Sequence, residues 1–343
     1  MTKSIIRLLS LTAAMLAVSG CIEELSPDFG SEPQLVLNAD LMTGRTEHAV
    51  YLTVGTPEGL VAPASDSRIL CYVNGELVAE DSQGDVQEYE EQFLVFDISA
   101  DFKAGDRVKL VAESGDMSAY AENVFPEPCE VSVDSSSVRS EVENWMHTVD
   151  GDYVTLPYGR VYSFRMTVKD LPGRGTKFQT LLPELWVQVG DDAPSKYIEM
   201  AGSDFYDEHD PVFENVFSPI PTDVAVATGL SFSILNYSRI FSDRLFSGGE
   251  YSFDFDRVVD QGDIFGRRYP YQQLIRSYVR FSVATVNDAD WQFYQYINNY
   301  TGSSELSEPV STVSNVVGGS GYVTALGMSD LVMELKPLDW SLQ

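Results

Sequence analysis

Val73-Asn74-Gly75-Glu76 is the stretch that decides the fold, because its Asn-Gly pair stands between two runs of apolar residues. A two-residue β-hairpin turn of this kind needs positive φ angles at both central positions, and Asn and Gly adopt them readily. The runs on either side, residues 69–73 and 77–79, are therefore predicted to be antiparallel strands.

Further short runs of β-branched, aromatic and aliphatic residues flank this hairpin and are also predicted to be strands. They are residues 35–42, 50–54, 93–98, 108–112 and 120–125. Seven strands in about ninety residues suit an immunoglobulin-like β-sandwich over residues 34–127. The Cys and Trp landmarks of antibody domains are missing from it.

Pro126-Glu127-Pro128 is the predicted domain boundary, because prolines on both sides of one residue favour an extended linker. Residues 128–343 are then expected to form a larger β-sandwich or barrel-like domain. Its strand candidates are residues 161–168, 185–189, 230–235, 251–255 and 278–286. In residues 251–256 aromatic and polar side chains alternate strictly, which predicts one buried face and one wet face.

One short α-helix is predicted near residues 288–300. Asn287 or Asp288 can cap its first turn. Four apolar residues then recur at helical spacing and should face the sheet. They are Trp291, Tyr294, Ile297 and Tyr300. The predicted fold class is therefore all-β, or mainly β, with a single helix.

The composition limits the classes of partner. The chain has 343 residues with 52 Asp or Glu and 22 Lys or Arg, which gives a formal net charge of -30. Nucleic-acid binding needs clustered cations, so a nucleic-acid partner is excluded. With 44% hydrophobic and 12% aromatic residues, the chain can bury a core and is expected to fold.

Residues 1–20 read as a signal peptide, with cations at Lys3 and Arg7 before an apolar run over residues 8–18. Val18-Ser19-Gly20-Cys21 resembles a bacterial lipobox, in which the thiol of Cys21 is lipidated and the chain is cut before it. Acyl chains such as palmitate would anchor the protein to a membrane without spanning it. An ordinary secretory signal with an incidental Cys is the alternative.

Residues 21–33 form an acidic, Pro-containing tether. It looks like the signal that sends Bacteroidota lipoproteins to the outer face of the outer membrane, and a plain solvated linker is the other interpretation. The remaining cysteines, Cys71 and Cys129, are candidates for a disulfide in such an envelope compartment. Cys71 is equally interpretable as a buried free thiol.

Catalytic motifs are absent from the sequence, and no catalytic residue is predicted. The three histidines, His48, His147 and His209, belong to no H-E-x-x-H motif, and there is no G-x-S-x-G elbow. Gly318-Gly319-Ser320-Gly321 lacks the spacing and the Lys of a phosphate loop. We interpret it as a turn that needs glycine for positive φ or close packing.

Calcium is the one candidate cofactor. An acidic cluster supplies the oxygen ligands that Ca²⁺ prefers, at Asp204, Asp207, Glu208 and Asp210. Its spacing is not that of an EF-hand, and a solvated acidic loop is the alternative. Chelator-sensitive melting would separate the two interpretations.

Exposed aromatic side chains are the other candidate site. Trp145, Tyr153 and Tyr158 lie in a predicted connection, where rings can stack on a ligand or simply cover a sheet edge.

An arginine cluster follows later in the chain and either meets an acidic partner or balances local carboxylates. Its members are Arg267, Arg268, Arg276 and Arg280.

Several stretches carry a resemblance to a known family. They are Cys21-Ile22-Glu23-Glu24 and residues 34–39, 73–78, 241–249, 290–296, 308–310 and 314–322. They resemble the Bacteroidota outer-membrane lipoproteins catalogued as domain of unknown function four-two-four-nine. The resemblance implies a surface lipoprotein, often encoded beside TonB-dependent transporters, and it supplies no catalytic residue.

The predicted function is a non-catalytic accessory or ligand-binding role beside a TonB-dependent uptake system, and the predicted location is the exterior face of the cell outer membrane. A fimbrial or adhesin-like subunit is one alternative. Strand donation in such a subunit would involve proteolytic trimming, and Arg45 is the first cation after Cys21 at which it can occur. A surface glycan or peptide hydrolase is the second alternative.

Overall fold

The computed structural model describes residues 32–88, 92–134, 139–149, 152–173, 175–181, 183–189, 193–199, 210–213, 239–260, 274–301 and 313–335. The strands of the first part are β1 Gln34–Met42, β2 Glu47–Thr56, β3 Gly59–Val61, β4 Arg68–Val73, β5 Glu76–Asp81, β6 Asp85–Glu88, β7 Gln92–Ser99, β8 Arg107–Ser114 and β9 Met117–Val124.

The strands of the second part are β10 Glu130–Val133, β11 Arg139–Val149, β12 Asp152–Lys169, β13 Lys177–Thr180, β14 Glu184–Val189, β15 Ser195–Glu199, β16 Ile240–Ser242, β17 Glu250–Asp260 and β18 Leu274–Val286. Helix α1 is Asp288–Thr301, followed by β19 Val316–Val317, β20 Gly319–Ser320 and β21 Val323–Leu335. A 3-10 turn, Asp243–Leu245, follows β16. The predicted mainly β fold class is confirmed.

The predicted hairpin at Asn74-Gly75 is confirmed. Asn74 has a φ of 53° and Gly75 a φ of 89°, and β4 pairs with β5 antiparallel across them. All seven strands expected in the first part form, whereas the strand predicted over residues 230–235 lies outside the described residues.

The first part is a two-layer sandwich. Five strands form one sheet in the order β19-β9-β8-β4-β5. This sheet packs on β1, β2 and β7, whose buried faces contribute Leu37, Leu52 and Phe96 to one core with Cys71 and Leu110. The predicted sandwich packing is therefore present.

A second core lies between a four-stranded sheet and another part of the large sheet. Strand β12 pairs with β10 and β11 on one side and with β17 on the other. Its buried Phe164 meets Phe281 of β18 edge to face, with ring centroids 4.6 Å apart. On β17, Phe253 is buried and Asp254 is exposed, as the alternation in residues 251–256 predicts.

The large sheet joins the two parts of the chain. Its main path is β15-β14-β18-β21-β1-β2-β7-β6, and β21 runs parallel to β1 with Ala39 opposite Val323. From the C-terminal segment, Val316, Val323 and Ala325 enter the first core. The boundary predicted after residue 127 therefore does not divide the hydrogen-bonded sheet.

Helix α1 covers the face of the large sheet opposite the second core. Asn287 caps it, since its Oδ1 accepts the backbone N–H of Asp290 at 2.9 Å. Trp291 and Tyr294 pack on Ala284 and Met328. The predicted helix and its buried stripe are confirmed for these two residues. No helix in the described ranges combines the length and apolarity that crossing a bilayer requires.

Candidate functional site

An open cleft of about 420 Å³ lies on the face of the large sheet opposite the second core, beyond the part of that face that helix α1 covers. Among the described residues, two aromatic rings, a proline, a valine and one cation line it. They are Trp186, Pro194, Tyr278, Arg280 and Val332. A mostly apolar wall with a few placed polar groups is the usual make-up of a ligand site.

Strand register brings these residues together. Trp186 of β14 lies opposite Tyr278 of β18, and Arg280 lies opposite Val332 of β21. Because side chains alternate along a strand, Val279 points to the other face and enters the second core. Tyr278 and Arg280 thus face the cleft, while Ala284 on the same face of β18 packs against helix α1.

Arg280 packs against the ring of Trp186. Its Cζ lies 4.3 Å from the indole centroid, a cation–π contact. Glu184 fixes both partners, because its Oε2 accepts from Arg280 Nη1 at 3.3 Å and from Trp186 Nε1 at 3.0 Å. The side chains of Arg280 and Glu184 are 23% and 17% exposed, so this arrangement is largely shielded from water.

The guanidinium of Arg280 has hydrogen-bonding capacity in reserve. A guanidinium has five N–H donors. The donor on Nε of Arg280 is buried and has no hydrogen-bond partner among the described residues. Such groups are rare in proteins and often occur where a ligand or water completes the site.

Ion pairs join three arginines of this face to carboxylates. The pairs are Arg280 with Glu184, Arg276 with Glu334 and Arg45 with Asp330. Three cations therefore meet three carboxylates in a chain whose net charge is -30. Arg276 and Arg280, members of the predicted arginine cluster, balance local carboxylates, whereas Arg267 and Arg268 lie outside the described residues.

The predicted stacking residues occupy strands. Trp145 lies in β11, and Tyr153 and Tyr158 lie in β12, so the connection expected there is wrong. Tyr153 pairs with Thr148 in the hairpin of these two strands. A long strand pair replaces the loop because its residues are mostly β-branched, aromatic or aliphatic. The structure describes no side-chain contact for the three residues, and their stacking role stays a prediction.

The calcium prediction is largely untested. Asp204, Asp207 and Glu208 lie outside the described residues. Asp210 is described, and its Oδ1 accepts from Tyr251 Oη at 2.8 Å and from the N–H of Val212 at 2.9 Å. Within the described ranges, no three His, Cys, Asp or Glu side chains converge on a metal position.

The candidate disulfide is not formed. Cys71 and Cys129 are both buried free thiols, and they belong to different cores, the first and the second. Burial raises the pKa of Cys71 to about 12, so this thiol stays protonated and unreactive at neutral pH. The interpretation of Cys71 as a buried small hydrophobe therefore holds. Cys21, the predicted lipidation site, lies outside the described residues.

The remaining motifs have structural roles. His48 is buried, its Nε2 lies 3.2 Å from the carbonyl oxygen of Ala100, and burial lowers its pKa. The glycine turn is confirmed, with φ angles of 80° at Gly318 and 103° at Gly321. A Cβ on Gly319 would lie 2.4 Å from the Leu35 carbonyl oxygen, so close packing also requires glycine.

Sequence reasoning singled out Arg280 but missed Trp186 and Glu184 as its partners. The signal available was that every second residue within 184–188 and 276–280 is polar, then aromatic, then polar, which places these side chains on one face of a strand. It could not show that these two segments pair, because 96 positions separate Glu184 from Arg280.

Comparisons with known proteins add a family match. A family model described as Domain of unknown function (DUF4249) matches residues 22–330 and so spans both cores. The comparison with curated proteins finds no match. Among solved structures, a chimeric titin Z1Z2-Z1Z2 tandem (Z1212) functionalized with a GRGDS exogenous peptide from fibronectin is 11% identical. It covers 75% of this chain and 92% of that chain, at a TM-score of 0.17, which is too low to indicate a shared fold.

Proposed function

The chain belongs to the family described as Domain of unknown function (DUF4249), and from its own residues we propose that it is a non-catalytic, ligand-binding lipoprotein of the outer membrane. In this proposal acyl chains on Cys21 hold the protein on the exterior face of the membrane. Its described sandwiches present a cleft to ligands that arrive at a TonB-dependent uptake system.

The cleft lined by Trp186 and Arg280 is the observation that carries the binding role. Its side chains are fixed in place before any ligand arrives, because Glu184 bonds both the indole and the guanidinium. A preorganised site loses little side-chain entropy on binding, which favours affinity. Except for Pro194, the described lining residues stand on paired strands, so they form a rigid platform.

The anchoring role rests on the sequence. The signal peptide, the lipobox and the acidic tether of residues 21–33 support it, and two or more acyl chains bind a bilayer stably where one does so only marginally. The place beside a TonB-dependent receptor rests on the family resemblance alone. Affinity isolation of the receptor tests this part directly.

Three experiments test this function. Labelled palmitate should be incorporated into the native chain and not into Cys21→Ala, and trypsin added to intact cells should degrade the lipidated protein. Affinity isolation from detergent-solubilised membranes should then recover a barrel receptor identified as TonB-dependent. An unlabelled native chain, a chain protected in intact cells, or repeated isolation without such a receptor would contradict the corresponding part.

The fimbrial alternative meets an obstacle at Arg45. Trimming there would remove β1, which lies between β2 and β21 in the large sheet. Arg45 is engaged with Asp330, and its Nη2 lies 3.1 Å from Oδ1 of that carboxylate. Only 20% of its side chain is exposed, so a protease would first have to break this pair. Trimming of the mature chain at Arg45, read by mass spectrometry, would revive the fimbrial alternative.

The hydrolase alternative has a separate test. Purified protein would have to turn over a polymer and lose that activity when a carboxylate is substituted. Among the described residues, no carboxylate is marked out for that role. The non-catalytic function is the one we propose.

A further inference from the structure

We propose that the cleft beside Trp186 binds a neutral saccharide, an inference that rests on the ligand-binding function proposed above and names the class of its ligand. The site consists of Glu184, Trp186, Tyr278 and Arg280 together with Pro194 and Val332. Three properties of this site point to that class: its aromatic walls, its paired polar groups and its balanced charge.

The aromatic walls match the apolar face of a sugar ring. Trp186 and Tyr278 are cross-strand neighbours, so their rings stand side by side on one face of the sheet. Pyranose rings carry C–H groups on one or both faces and hydroxyl groups around the rim. Val332, with 58% of its surface exposed, and Pro194 extend the apolar floor on either side.

The paired polar groups match the hydroxyl rim. A hydroxyl group both donates and accepts hydrogen bonds, and Glu184 and Arg280 place a carboxylate and a guanidinium next to each other. The Tyr278 hydroxyl is a further hydrogen-bond donor and acceptor, and its Oη lies 3.4 Å from Gln188 Oε1. A site built to bond hydroxyls rejects analogues that lack them, because its polar groups would be left unpaired.

The balanced charge selects against ionic ligands. Three arginines of this face, Arg45, Arg276 and Arg280, each pair with a carboxylate, and the chain as a whole is strongly acidic. An anionic ligand would be repelled by the acidic protein, and at Arg280 it would lie next to the carboxylate of Glu184. A cationic ligand would have to compete with Arg280 for the same carboxylate. A neutral ligand avoids both costs.

The size of the cleft fits this class. Small-molecule sites usually measure about 300–1,000 Å³, and a volume of about 420 Å³ accommodates one or two sugar rings. The cleft is open to solvent, so a longer chain can lie across it with its remaining rings outside.

Affinity gel electrophoresis of the full mature chain, carrying Cys21→Ser for solubility, tests the proposal. The immobilised probes are soluble starch, xyloglucan, galactomannan, arabinoxylan and, as the anionic comparison, polygalacturonate. We expect at least one neutral polysaccharide to retard the protein and polygalacturonate not to. Trp186→Ala should weaken the retardation about tenfold or more, which corresponds to about 1.4 kcal/mol.

Tyr51→Ala is the matched control, since it removes a 44%-exposed ring on β2, away from the cleft. It should leave the retardation unchanged. Unfolding midpoints of all variants show whether each one is folded, and Arg280→Lys, which keeps the charge but loses the planar stack, provides a second cleft variant if Trp186→Ala does not fold.

Three results would overturn the saccharide assignment: retardation by polygalacturonate alone, equal loss in Tyr51→Ala and Trp186→Ala, or no retardation by any neutral probe. Recovery of the TonB-dependent receptor and labelling of Cys21 do not depend on these gels. A chain that is lipidated and receptor-bound but ignores every neutral polysaccharide would therefore refute this inference and leave the proposed function standing.

Discussion

Asn123 in β9 donates from Nδ2 to Oδ1 of Asp290 in helix α1 at a distance of 3.0 Å, across 167 positions of sequence. The other oxygen of Asp290 accepts from the N–H of Ala325 at 3.0 Å and from Asn287 Nδ2 at 2.9 Å. Asp290 is completely buried. One carboxylate therefore ties the first sandwich, the helix and the C-terminal strand together.

Replacing Asp290 by Ala should lower the free energy of unfolding by about 3 kcal/mol, because the buried donors of Asn123 and Ala325 would lose their acceptor. Urea unfolding at pH 7 measures this change. Asp288→Ala is the matched control, since Asp288 lies in the same helical turn with its side chain 86% exposed. Its effect should stay below about 1 kcal/mol, and equal losses in the two variants would contradict the role of Asp290.

Stability should also depend on pH through Asp290. Burial raises the pKa of this carboxyl from 3.8 to about 6, and the nearby Asp40 acts in the same direction. The raised pKa means that the folded chain holds the proton more tightly, so the contribution is fully present below pH 4 and is lost as pH rises through 6.

The free energy of unfolding of the native chain relative to Asp290→Asn should accordingly fall by about 2 kcal/mol between pH 4 and pH 7. Asn cannot ionise, so the difference isolates this group from the many other acids. Burial also raises the pKa of Asp40, which both chains share. A difference that stays constant across this range would refute the assignment.

Gly321→Ala should be strongly destabilising. Its φ is 103°, and a Cβ would lie 2.3 Å from the carbonyl oxygen of Leu37 in β1. We expect a loss of about 2–4 kcal/mol from strain and overlap together. Gly105→Ala is the comparison, because Gly105 has a φ of 83° but open space around it, and its loss should be about 1 kcal/mol. Thermal unfolding of both variants checks the order.

The first sandwich should not fold without the C-terminal segment. A chain ending at residue 312 lacks β19, β20 and β21, and so removes Val323 and Ala325 from the first core and the parallel partner from β1. We expect it to lose cooperative unfolding, whereas a chain ending at residue 335 should keep it. A fragment of residues 34–127 with a sharp urea transition and native near-ultraviolet dichroism would show that the prediction is wrong.

Neither core cysteine should react in the folded protein. Cys71 and Cys129 are buried free thiols, and burial raises the pKa of each above its usual value. In a Cys21→Ser chain at pH 8, a thiol reagent should label no cysteine until urea is added, and then two. An intact mass lower by two hydrogens before reduction would reveal a disulfide instead.

Local features were predictable because each depends on neighbours in sequence. The Asn74-Gly75 turn follows from the φ angles these residues tolerate, and the cap at Asn287 follows from one side chain three positions before Asp290. Strand β21 escaped prediction for the opposite reason. It lies between β18 and β1, and residues 322–328 are all buried, so no alternation marks the segment as a strand.

The residues of the candidate site were likewise predictable only in part. Arg280 stood out in the sequence because cations are scarce in an acidic chain, but its place beside Trp186 did not. The predicted calcium ligands and stacking rings were chosen by local composition, and the structure gathers a different set by pairing β14 with β18.

The order of residues alone determined the mainly β character, the hairpin, the helix with its cap and the acidic surface, because short-range dihedral preferences, side-chain periodicity and charge act over a few positions. Tertiary structure alone decided that β21 lies beside β1, that Asp290 joins three elements and that Trp186 meets Arg280. The entropy of closing a loop grows only slowly with its length, so spacing in a sequence hardly favours one distant partner over another. Complementary packing of whole sheets makes that choice.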